Sequence, residues 1–447
     1  MAMHVNLERF WKAAAVAAVV LLPALLVRAD ENGGPMTLDR VMDNVVIAGK
    51  DLKAVNGADI EALRLMSFKD GKLAPVPFQV DEKTPVGEYV MIAPDGSRGH
   101  DDGKLDLNDE LVFMAKDAGD RGDPSASGLD PEAWNEIALT DPVTGGKGWA
   151  YLIAFDENPP ALSPVRYMTY QELADHDELT TPYYSLRFPK NNVFMSDIII
   201  TKAAGGNGQD ILDKIKMRSG VAMLRGAFSV DRTEEDFSHK VLGVLTGPVR
   251  VIRRTETRLS LILSLKSPAA IVNGSFYPAC FQFPSMLSLP FRMDMIASDA
   301  YMRQGWDLNR NAIGLKFYSN LNPEPVVYDG KMGPAEQKLA ANRNTLRWAL
   351  GTGPQGTFMF EGEWDQKSPI KALLYYEDDL SRAEPPEDDP GIMGIAYRLE
   401  DLLKMGGDEY PFNIVNYIVP NFDGDIQKAL RVFDHPLEVK VKGESSK

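Results

Sequence analysis

Hydrophobic and polar residues alternate with a period of two along most of this chain, the spacing that puts every second side chain on one face of a strand. Such runs cover 60–68 and 73–80, joined by Asp70-Gly71, a dipeptide suited to a tight hairpin turn. Further runs predict strands at 88–92, 110–115, 136–140 and 149–155, then at 314–318, 357–363, 370–376, 392–399, 413–419 and 437–441. The longest spans 249–265, after the turn-like Gly247-Pro248. One face carries Val251, Arg253, Thr255, Thr257, Leu259, Leu261, Leu263 and Leu265, and its leucine half marks a core side; Arg250, Arg254 and Arg258 lie on the other. Helical signals are few. Pro334 opens one helix toward Ala341 from the first position, where proline is tolerated, and Asp425 caps another through Val432. Many short strands with hairpin turns and few short helices predict a mainly β fold of antiparallel β-sandwich domains.

Breaks in this pattern divide the chain. Asp156-Glu157-Asn158-Pro159-Pro160 interrupts the strands and 171–181 is polar, which places a boundary between about 157 and 182. The expected units are an N-terminal sandwich over 30–165 and a larger C-terminal sandwich over 182–447. The acidic, proline-rich stretch 383–390 reads as a loop. At the start, Arg9 and Lys12 precede an apolar stretch over 13–27 that ends in Val27-Arg28-Ala29. That is the layout of a signal peptide cleaved after Ala29. A membrane anchor is the alternative, but the stretch is shorter than the ~20 apolar residues a spanning helix needs, and Pro23 interrupts it. The expectation is a periplasmic or secreted protein without stable membrane insertion.

Charge and composition narrow the chemistry. Lys plus Arg number 48 against 64 Asp plus Glu, a net charge of -16 over 447 residues. Nucleic acid is a poor partner for such a chain, because its binding rests on cationic contacts to phosphate. The lone Cys280 sits among apolar neighbours and excludes an intramolecular disulfide framework. No glycine-rich dinucleotide motif, phosphate-binding loop or Gly-x-Ser-x-Gly elbow is present.

Four features could carry function. Between Asp95 and Glu110, the carboxylates Asp101, Asp102, Asp106 and Asp109 surround Gly103 as oxygen ligands for calcium would. Arg98 and His100 at the first and third ligand positions, and a closing Asp in place of Glu, depart from an EF-type loop, and a solvated hairpin loop is the plainer reading. Arg250, Arg254 and Arg258 form a stripe whose successive members are ~13–14 Å apart, a spacing suited to an extended acidic glycan. Pairing with acids on adjacent strands is the simpler account. His239, near that stripe, is the best single candidate for proton transfer among the histidines. Trp306 and Trp364 lie in polar, turn-like settings, where they either stack on sugar rings or serve as buried anchors.

Pro75-Val76-Pro77-Phe78-Gln79-Val80-Asp81-Glu82, followed by Asn108-Asp109-Glu110-Leu111-Val112-Phe113-Met114-Ala115, resembles a pattern in uncharacterised exported bacterial β-proteins. It brings no activity or ligand with it. Gly247-Pro248-Val249-Arg250 and the strand after it resemble sheets of the galactose-mutarotase-like supersandwich, a resemblance that implies fold and leaves function open. The sequence thus predicts a non-enzymatic binding or scaffolding protein of the cell envelope, its partner a glycan or an envelope protein. The competing reading is a polysaccharide lyase or hydrolase acting on acidic glycan.

Overall fold

The computed structural model describes residues 34–445, apart from 261–265, 289–291, 296, 366 and 407–408. The segment 1–29 and the leucines Leu261, Leu263 and Leu265 lie outside the described residues. Among the described residues, the strands form five sheets and every strand pairing within them is antiparallel. The protein is mainly β, with two short α-helices, Pro334–Ala340 and Ile426–Asp434.

Two sheets pack in the N-terminal half. One joins Asn44–Ala48, Glu110–Met114 and Phe78–Asp81; the other joins Ala133–Thr140, Lys147–Ala154, Leu63–Lys69 and Lys72–Pro75. Alternation sends Val45, Leu65, Phe113, Ile137 and Leu152 into the space between them. Each such side chain, once fully buried, contributes roughly 1.5–3 kcal/mol. The final strand, Glu438–Ser445, also joins this second sheet by pairing with Ala133–Thr140, although sequence order groups it with the C-terminal half.

The C-terminal half is built on two larger sheets. A five-stranded sheet runs in the order Phe228–Thr233, Leu212–Met223, Ala297–Leu308, Ile392–Glu400, Lys371–Asp379. It faces a long sheet whose members include Phe237–Thr246, Val251–Leu259, Ala270–Phe276, Glu409–Ile418 and Gly356–Trp364. Between them lie Ile215, Phe276, Phe281, Trp306, Phe358, Phe360 and Ile395. A third core of Met42, Val112 and Met114 against Tyr277, Cys280, Met359, Val415, Tyr417 and Leu430 ties the two halves together.

Several expected elements differ. The run 73–80 splits at Val76-Pro77 into strands of two different sheets, because proline interrupts the ladder. The run 88–92 forms only isolated bridges, among them Lys83 to Tyr89 and Ile92 to Val244. The polar stretch expected to link domains contains two strands, Thr169–Glu172 and His176–Thr180. Both belong to a four-stranded sheet with Tyr184–Pro189 and Asp197–Ile200. Both helices form where their caps place them: the Asp425 side chain accepts from Lys428 N–H, and Glu336 accepts from Gly333 N–H.

Candidate functional site

The arginine stripe does not form one open groove. Arg250 is 2% exposed, and its guanidinium donates to Asp81 through Nε (2.6 Å) and to Glu110 through Nη2 (2.6 Å). Its Nη1 reaches the Tyr277 hydroxyl, and the Tyr89 ring lies beside the guanidinium. Gln79 closes the cluster. Its Oε1 accepts from the Val249 and Arg250 N–H groups, and its Nε2 donates to Asp81. Burial opposes the Arg250 charge, but Tyr277, Asp81, Tyr89 and Glu110 together hold its pKa well above the ordinary value. For Glu110, burial also opposes ionisation; Arg250 and Lys83 outweigh it and hold the carboxyl below its usual range. The quoted segments around Gln79, Glu110 and Gly247 therefore meet at the junction of the two halves. Arg254 pairs with the exposed Glu88 (3.0 Å), and Arg258 with Glu256 of its own strand (2.8 Å). Exposed pairs of this kind are worth little energetically.

In the acidic loop, Asp101, Asp102 and Asp106 each bring one carboxylate oxygen within 4.8 Å of the others. Partial burial, then Asp102 and Asp101, push the Asp106 carboxyl up. Asp109 is not a fourth member. It is fully buried, and its two oxygens accept from the Lys83 and Asp106 N–H groups (both 2.7 Å), so it staples the loop from inside. These three carboxylates would supply part of the six to eight oxygens that calcium takes.

His239 lies on Phe237–Thr246 between two aromatic rings, edge-on to Phe194 at 5.0 Å and stacked with Phe237 at 6.2 Å. Its Nδ1 bonds Thr257 Oγ1 (3.0 Å), and its buried Nε2 has no partner among the described residues. Burial, with Arg253 adding repulsion, lowers the imidazole pKa to about 4. It is therefore neutral near pH 7. Trp306 is 8% exposed and packs against Phe358 (4.8 Å) and Phe281 (6.5 Å). Trp364 stacks on Phe412 at 5.2 Å, with a buried Nε1 that lacks a partner among the described residues. Both are interior anchors, not open sugar platforms.

These aromatic residues border a feature the sequence did not reveal. A half-open cavity of about 230 Å³ lies between the two large sheets. Its walls include Phe194, Phe237, Phe283, Trp306, Phe360 and Phe412, together with Met195, Met217, Met286 and Met302. Trp306 contributes part of the wall itself, while His239 and Trp364 pack directly behind Phe237 and Phe412. Ala270, Ile271 and Met286 are exposed side chains of its lining. Methionine is flexible and polarisable, so four of them give a wall that adapts to its occupant.

A second concavity, about 510 Å³, lies on the outer face of the five-stranded sheet. Register places Arg218, Arg303 and Arg398 directly opposite one another on adjacent strands. Like charges in one row repel, and acids compensate them: Glu234 bonds Arg218, Glu384 bonds Arg303, and Glu400 approaches Arg398 at 3.5 Å. Tyr301 and Tyr375 complete the polar lining. Glu384 and Glu387 come from the acidic loop expected at 383–390, which straps this face, with Glu387 bonded to the buried Lys216 at 3.0 Å. No sequence signal pointed to this row, because its members come from three separate runs and are neighbours only in register.

No known family matches the sequence, and no curated protein does. Among solved structures, an alpha-mannosidase from Enterococcus faecalis V583 aligns with 94% of this chain at 9% identity and a TM-score of 0.46. The chain spans about half of that protein, 47% of its length. The structure of HI1317 aligns with 56% of this chain and 99% of its own, at 10% identity and a TM-score of 0.26.

Proposed function

We propose that this chain is an exported, non-enzymatic binding protein that holds the apolar part of a small ligand between its two large sheets. The cavity between those sheets supports this reading. Apolar cavities of ~150 Å³ stay dry and take up benzene, and this one is larger, with an open side. Binding sites of small molecules have this character: concave, apolar, aromatic-lined, with few polar groups. The experiment is a titration with N-phenyl-1-naphthylamine, whose fluorescence rises in apolar surroundings. Saturable binding is expected, and it should be lost in Ala270→Trp, which plugs the mouth from an exposed position. A wild-type protein that does not enhance the dye would sink the reading.

A glycan remains the second reading, favoured by the polar concavity of Arg398, Tyr301 and Tyr375, where aromatic faces and charged hydrogen-bonding groups occur together. A glycan array would show binding that Arg398→Ala abolishes and Ala270→Trp leaves intact.

A further inference from the structure

We infer that the inter-sheet cavity selects uncharged ligands that carry a hydroxyl or carbonyl group, and that Gln304 is the residue that reads that group. The inference rests on the proposed binding role of the cavity and specifies its ligand class. Among the described residues, no Asp, Glu, Lys, Arg or His lines this cavity. An ionised group placed there would lose its water and find no counter-charge, which costs far more than burying a neutral polar group. The net charge of -16 adds long-range repulsion against an anion.

The lining does hold polar side chains, and nearly all are already engaged. Thr257 Oγ1 bonds His239 Nδ1 (3.0 Å), and Ser285 Oγ donates to the Phe283 carbonyl (3.1 Å). Asn416 Nδ2 donates to the Phe281 carbonyl (3.4 Å), and the Tyr397 hydroxyl donates to the Arg347 carbonyl (3.4 Å). Gln304 differs. It lies on Ala297–Leu308 two residues before Trp306, on the same face, opposite Met217 on one side and Tyr397 on the other. Its side chain makes no hydrogen bond to any described residue, so both an amide donor and a carbonyl acceptor are open to an occupant. A hydroxyl can use either, and a carbonyl can use the donor.

The experiment measures displacement of N-phenyl-1-naphthylamine by 1-decanol and by decanoate at pH 8, with naphthalene as a ligand without polar atoms. Decanol should displace the dye at a concentration at least about tenfold below decanoate. Gln304→Leu should weaken decanol about tenfold, the effect of one lost hydrogen bond at a desolvated site, and leave naphthalene unchanged. Gln304→Lys should turn the preference toward decanoate. Decanoate binding as well as decanol in the wild type would overturn the inference while leaving the cavity as a binding site. Equal weakening of decanol and naphthalene by Gln304→Leu would overturn it as well, because that is the mark of a packing role. Failure of every probe, dye included, would instead reject the binding function beneath it.

Discussion

Replacing Arg250 with methionine should destabilise the protein and leave ligand binding in place. Arg250 and Asp81 are each 2% exposed, and the Glu110 side chain is 17% exposed. The substitution would leave Asp81 in a poorly hydrated site without its cation, and Glu110 with Lys83 alone. Removing one partner of a buried ion pair typically costs about 3–5 kcal/mol. For a protein of this size that corresponds to a fall in Tm of roughly 3–6 °C. The sign of the pH dependence follows from the same groups. In the wild type, Arg250 and Lys83 hold Glu110 below its usual range, so its contribution is present above its unfolded pKa and is lost as pH falls through the folded one. In Arg250→Met the orphaned Asp81 carboxylate favours protonation, so the deficit should shrink on going from pH 7.5 to pH 5. Adding Asp81→Leu and Glu110→Met should recover most of the loss, since well-packed apolar replacements of buried ion clusters are often neutral. Urea denaturation followed by tryptophan fluorescence at the two pH values measures all of this. A deficit below about 1 kcal/mol, or one equal at both pH values, would refute the reasoning.

Two further outcomes follow from single positions. The imidazole of His239 sits at about 4 against an ordinary 6.5, so the unfolded chain takes up the proton first and stability falls as pH drops through that window. The full loss is about 3 kcal/mol; His239→Phe should flatten the acid limb of a Tm-against-pH curve, and parallel curves would contradict the assignment. Gly247 is fixed by contact, since a Cβ there would overlap the Gln79 amide that caps the Val249 and Arg250 N–H groups. Gly247→Ala should cost about 1–3 kcal/mol through those lost bonds, whereas the exposed neighbour Thr246→Ala should cost less than about 0.5 kcal/mol in the same urea titration.

Period-two patterning made the β class legible, as did the hairpin at Asp70-Gly71 and both helix caps. It failed where buried positions are polar. In His176–Thr180, Asp177 points inward beside Leu179, and no hydrophobic alternation marks the strand. Asp177 is tolerated there because Arg253, on the facing strand's core side, donates to it at 2.9 Å and Lys190 at 2.6 Å. Arg253 stands on the strand face whose leucine half marks a core side, and its partner lies in a stretch that composition marks as a linker. The same difficulty hid the site. Trp306 and Trp364 stand beside Gly305, Asp307, Glu363 and Asp365 in sequence, which makes them look exposed. Their rings nevertheless face the interior, because a strand needs polar residues only on its other face.

The buried cations all lie outside the cavity. Arg250, Arg253, Lys216 and Arg218 are all buried, and each meets carboxylates from segments distant in sequence: Asp81 and Glu110, Asp177, Asp307 and Glu387, and Glu234. Such contacts return little net stability after desolvation, but a shifted register would leave each charge unpaired, so they favour one pairing of strands over its neighbours. Buried cations thus help to fix which strands pair, Lys216 and Arg218 doing so under the acidic strap on the outer face of the five-stranded sheet. Between the two large sheets, the cavity holds aromatic rings, methionines and amide or hydroxyl groups. A ligand entering there meets dispersion, a wall that can adapt, and one open amide, and an ionised ligand would meet no counter-charge on the described walls. Charge exclusion at the cavity is thus a property of its uncharged walls, which is why Gln304→Lys, adding one unpaired cation to that wall, is expected to change the class of ligand the protein accepts.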